Sequence, residues 1–217
     1  MRRLVDASDP ASPAPSKTGS HGGPEGNQRL TGSTGALLIA LLGVEALTVL
    51  SLRSLLSVHV FVGVLLIPPV VLKIASTGYR FTRYYTGSPP YVAKGPPPLL
   101  LRALGPLVVL SAAVLLVTGV LLLAIGPGDG PVRGLHKLSF IVLGVVVSIH
   151  VLAHLRKVAG LTSADWRGRT RLPGGSARRF ALLASLLAGL AFGAVAIHYD
   201  GAWVHREHHH RFDDGDR

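Results

Sequence analysis

Five long apolar runs decide what this chain can fold into. They fall at about 35–52, 56–76, 99–125, 134–156 and 179–198, each approaching the ~20 residues a helix needs to cross the hydrocarbon core of a bilayer. The runs are continuous in Leu, Val, Ala and Ile rather than alternating, so none reads as a strand. Backbone groups inside lipid must be satisfied within their own segment, which makes each run a helix. The expected fold is all-α: a polytopic membrane helical bundle of five transmembrane helices over residues 34–198. Only 15% of the residues are charged, against roughly a quarter in an ordinary soluble domain. Gly105-Pro106 is expected to bend the third span without ending it.

The flanking segments have a different composition. Residues 1–33 are rich in Pro, Ser and Gly, poor in large apolar residues, and expected to be a disordered cytoplasmic tail with no secretory signal. The formal net charge of +11 does not point to nucleic acid, because the basic residues gather between apolar runs. Sixteen of the 22 Lys and Arg fall on the side that holds the N-terminus. The positive-inside rule then puts the N-terminus in the cytoplasm and residues 199–217 outside, in a multi-pass plasma-membrane protein. With no cysteine, disulfides, thiolate catalysis and Cys-ligated metals are excluded.

Ten histidines are unusual in so apolar a chain. Intramembrane polar side chains are costly and usually face the bundle interior. His59 lies a few residues into the second span and His136 a few into the fourth, and both spans enter from the same side, so the two share a depth near the outer surface. His150 and His154 follow His136 by 14 and 18 residues. At about 100° per residue the three lie within roughly 40° of one stripe, with His136 and His150 about 21 Å apart along the axis.

These segments, HVFVG (59–63), HKLSF (136–140) and HVLAH (150–154), resemble the membrane-embedded b-type cytochromes of the bacterial cytochrome b/b6 kind. The resemblance covers residues 57–157. In that family two histidines 13 or 14 apart on one helix ligate two stacked haems in a four-helix bundle. It implies a four-helix haem-binding core and bis-histidine haem b whose potential is set by ligands, burial and hydrogen bonds. The position 14 residues after His59 is Lys73, a departure from the two-haem pattern. One haem between His59 and His136 is the economical expectation. A second would need His150 or His154 with another partner, Lys73 or a neighbour in an oligomer among them. His150 and His154, one turn apart, also suit a transition metal or a quinone pocket, and His198 is an alternative to His136 as ligand.

Several other features carry two readings each. Glu45, within the first span, is either a proton-relay or quinone-site carboxylate or the partner of a basic or histidine neighbour. The loop at 76–98 offers Tyr79, Tyr84, Tyr85 and Tyr91 as an aromatic belt, with Arg80 and Arg83 at the headgroups. Its alternative role is contact with a haem propionate, for which Arg80 is first choice, or with a redox partner protein. The basic stretch at 165–179 reads as a topological signal ahead of a docking site. Gly63, Gly119 and Gly144 permit close approach of helices or of a flat macrocycle. The tail HREHHHRFDDGDR (205–217) reads as disordered and weakly metal-binding. Two functions are carried forward. One is a haem b electron-transfer subunit of an oxidoreductase, with a separate catalytic partner and a possible quinone. The other is a non-redox membrane scaffold, assembly subunit or small transporter with packing or metal-binding histidines.

Overall fold

The computed structural model describes residues 22–96, 99–126, 130–166 and 174–213. Seven helices appear among them: α1 (Gly23–Leu50), α2 (Leu52–Leu65), α3 (Ile67–Tyr85), α4 (Pro89–Val92), α5 (Leu99–Ile125), α6 (Pro131–Trp166) and α7 (Gly175–Asp213). No strand occurs among the described residues. Five segments are long and apolar enough to cross a membrane: Gly23–Leu50, Leu52–Tyr85, Arg102–Ile125, Pro131–Leu152 and Gly175–His198.

The burial pattern is that of a protein dissolved in lipid. Leu47 on α1, Leu110 on α5, Ile141 on α6 and Leu187 on α7 are 60–64% exposed, which water would penalise heavily. The buried set contains Thr34, Thr48, Ser76, Ser111, Thr118, Ser139 and Ser185. Small polar residues inside and large apolar ones outside is the arrangement by which membrane helices pack. These hydroxyls are satisfied locally: Thr34, Ser111 and Thr118 donate to carbonyls four residues back.

Local sequence sets the breaks. α1 starts on Gly22, whose φ of 78° suits only glycine, with Pro24 in the first turn. It ends against α2 across one residue, Ser51, so the two form a very tight hairpin. Pro68 and Pro69 lack the amide hydrogens that would bond Val64 O and Leu65 O. The ladder nonetheless resumes with Val70 N–H donating to Leu66 O at 3.0 Å, and α2 and α3 run on as one span. α5 passes through Pro106 unbroken, as expected. Around the bundle α1 packs on α2, α3 and α6, α5 packs on α6 and α2, and α7 lies against α2 and α3.

Two boundaries differ from expectation. The N-terminal tail was expected to reach residue 33, yet α1 begins at Gly23. Its polar first turns are held by α3: Asn27 Nδ2 donates to Ser76 O at 3.0 Å and Thr31 Oγ1 to Ser76 Oγ at 3.0 Å. Glu25 also pairs with Lys94 at 2.8 Å. At the other end α7 continues to Asp213. Residues 1–21, which hold the rest of the expected tail, lie outside the described residues, as do residues 167–173 of the basic stretch at 165–179.

Candidate functional site

Two pairs of successive helices build the site: α1 and α2, which meet at Ser51 with a kink at Leu55, and α5, which ends at Ile125, with α6, which begins at Pro131. Each places a threonine on its first helix opposite a histidine on its second. In the first, Glu45 Oε1 stands 2.9 Å and Thr48 Oγ1 3.0 Å from His59 Nδ1. In the second, Leu115 O and Thr118 Oγ1 each stand 3.1 Å from His136 Nδ1. The rings of His59 and His136 are neighbours in a T-shaped arrangement, with centroids 6.3 Å apart and planes at 90°.

The hydrogen-bond network fixes where the protons are. A backbone carbonyl only accepts, so His136 Nδ1 must carry hydrogen toward Leu115 O. The Thr118 hydroxyl spends its own hydrogen on Val114 O at 2.7 Å, leaving its oxygen to accept from the same imidazole. On the other side the Thr48 hydroxyl donates to Glu45 O at 2.6 Å, and His59 Nδ1–H is shared between Thr48 Oγ1 and the Glu45 carboxylate. Nδ1 of His136 thus carries hydrogen, the same arrangement satisfies His59, and in a neutral ring so held Nε2 is left with a lone pair. That is the state of a histidine that ligates a metal while its other nitrogen is oriented by a carboxylate or carbonyl.

Small residues clear the flanks. A Cβ at Gly119 would lie 3.2 Å from His136 Cε1, and one at Gly63 would lie 3.2 Å from Glu45 Oε1. Gly144 meets nothing within 4 Å and takes no part. Glu45, of the two readings open for it, is found paired with histidine.

The remaining sequence candidates lie elsewhere. Lys73 and Arg80 follow His59 by 14 and 21 residues along nearly continuous helix, about 21 and 31 Å away at 1.5 Å per residue. Lys73 Nζ donates to Thr31 O at 2.7 Å, packed where only Gly35 leaves room, and so ties α3 to α1. Neither Lys73 nor Arg80 can reach the His59–His136 centre. His150 is half-buried on α6, the side chain of His154 lies outside the described residues, and His198 is exposed at the end of the fifth span. Of the four tyrosines assigned to an aromatic belt, Tyr91 is instead buried, edge-on to Tyr79 at 6.1 Å. Tyr85 accepts from Arg102 at 2.9 Å. An apolar groove of about 410 Å³ between α1 and α6 is lined by Ile39, Leu42, Val147, Ser148, Val151 and Leu152. Among the described lining residues the one hydroxyl, on Ser148, donates to Gly144 O.

Sequence reasoning missed Thr48, Leu115 and Thr118. The signal that would have found them is depth: each lies on the helix preceding a histidine, at a level set by the length of its hairpin.

Among the described residues no group of three or more His, Asp or Glu is gathered as for a bare metal ion. The donor set is two imidazoles. An imidazole nitrogen sits about 2 Å from a bound transition metal and roughly 1 Å from its ring centre, so two rings on opposite sides of one metal stand about 6 Å apart. The observed centroid separation of 6.3 Å equals that span. No protein-family model, curated protein or solved structure matches this chain.

Proposed function

We propose that this protein is a membrane b-type cytochrome that holds one haem between His59 and His136 and passes electrons within or across the bilayer. The observation that carries the reading is the neighbouring pair itself: two imidazoles 6.3 Å apart, each with Nδ1 committed as a donor. The haem supplies one-electron redox chemistry when bound. The chain's residues do the rest. His59 and His136 offer Nε2; Glu45, Thr48, Leu115 O and Thr118 hold the rings in orientation; the surrounding apolar spans exclude water.

The distribution of Lys and Arg supports a cytoplasmic N-terminus, which sets the site toward the outer face of the plasma membrane. The chain is then an electron-transfer subunit, exchanging electrons with a separate redox protein or a membrane quinone. Lys73 standing where a two-haem protein would carry a second histidine supports one haem.

The test is a reduced-minus-oxidised spectrum of the purified protein. A sharp α band of b type is expected, and its loss in His59→Ala and in His136→Ala, with retention in His150→Ala. A wild-type protein without such a band would end the haem reading and leave the histidines as interhelical hydrogen-bonding groups of a non-redox protein.

A further inference from the structure

The two histidines are alike in tautomer and unlike in what holds them. His136 donates to neutral oxygens, Leu115 O and Thr118 Oγ1. His59 Nδ1 stands 2.9 Å from the carboxyl of Glu45, and a hydrogen bond to an ionised carboxylate is about twice as strong as one between neutral groups. Glu45 is buried, and its Oε2 has no hydrogen-bond partner. Among the described residues no Lys or Arg neutralises it, and His59 is its ion-pair partner. Whatever charge Glu45 carries is thus directed at one imidazole. Gly63 makes this possible by leaving the space in which Oε1 sits.

We infer that Glu45 is a positioning residue that fixes His59 as an Nδ1–H ligand and makes it the more electron-rich of the two axial ligands, lowering the reduction potential of the centre. The inference rests on the haem reading above. The physical reason is that a carboxylate accepting from Nδ1–H pushes electron density toward Nε2, and a buried negative charge favours the oxidised, more positive form of the iron. Thr48 shares the orienting role but carries no charge, so the two contributions are separable.

The experiment compares wild type, Glu45→Gln and Glu45→Asp as full-length proteins in lipid nanodiscs by spectrum and redox titration. Gln keeps an acceptor for His59 Nδ1–H and removes the charge; Asp keeps the charge. Glu45→Gln is expected to retain the b-type band and shift the reduction equilibrium at least tenfold toward the reduced form, a rise of about 59 mV for one electron. Glu45→Asp is expected to stay nearer the wild-type potential than Gln does. Loss of haem from folded Glu45→Gln with retention in Glu45→Asp also supports the inference, since Gln keeps the length and loses the charge while Asp, a methylene shorter, keeps the charge. A haem-loaded Glu45→Gln at the wild-type potential overturns it and leaves the haem reading standing. A wild-type protein without haem overturns both. Independently of any variant, ¹⁵N NMR of histidine-labelled wild type stripped of haem should find His59 as Nδ1–H, and an Nε2–H tautomer would overturn the inference.

Discussion

At the scale of single residues, the 90° angle between the His59 and His136 rings has a spectroscopic consequence. Perpendicular imidazole planes leave the two iron d orbitals they overlap close in energy. With haem held by this pair as proposed, the ferric protein should give a strongly anisotropic low-spin EPR signal dominated by a single large g value. A rhombic signal with three well-separated g values, typical of parallel planes, would contradict the ring geometry. The glycines offer a second test. Gly119→Val would drive a side chain into the space where a bare Cβ already stands 3.2 Å from His136 Cε1, so under the proposed function haem occupancy should fall severalfold. Gly144→Ala, in open space on the same hairpin, should keep full occupancy and gain up to ~1 kcal/mol from better helix propensity. Haem-to-protein ratio and thermal midpoint read both.

Between elements, the contact of α7 with the α2–α3 span shows how local chemistry becomes packing. Pro69 leaves Leu65 O without its helical donor, and Gly189 of α7 packs directly over that carbonyl. One turn further on, a Cβ at Gly193 would come within 2.8 Å of Phe61 Cδ2. The Gly189-x-x-x-Gly193 spacing is the small-residue pattern by which membrane helices approach closely. Gly189→Val is expected to cost about 1–3 kcal/mol in reversible unfolding from mixed micelles. Gly78→Ala, which meets nothing within 4 Å, should leave stability unchanged or slightly raised. Equal effects of the two would show that α7 is not held this way.

For the whole molecule, orientation is the property most open to direct measurement. The chain has no cysteine, so an introduced one is its sole thiol. Ser54, beside the α1–α2 turn, and Thr86, after α3, are both exposed and lie at opposite ends of the bundle. Ser54→Cys should react with a membrane-impermeant maleimide on intact cells, and Thr86→Cys only after permeabilisation. The reverse pattern would invert the topology and move the histidine pair to the cytoplasmic side.

Much of this architecture is legible in the linear sequence. The span count follows from apolar length, and the common depth of His59 and His136 follows from their distance to the span ends, because rise per residue is fixed. Glu45 stands out for the same reason, as a carboxylate in an apolar run. The helical start at Gly23 is not legible, because its polar turns fold on Ser76 and Lys73, residues some 45 positions away in a different helix. Nor are Thr48, Leu115 and Thr118, which look like any other small or apolar residue until a hairpin sets one helix against the next. Length and composition, summed along one segment, determined that this chain forms five apolar helices with histidines at matched depth. Only the tertiary structure decided which faces meet, since azimuth depends on packing between segments. That packing turned two histidines into an oriented pair and gave one of them a carboxylate.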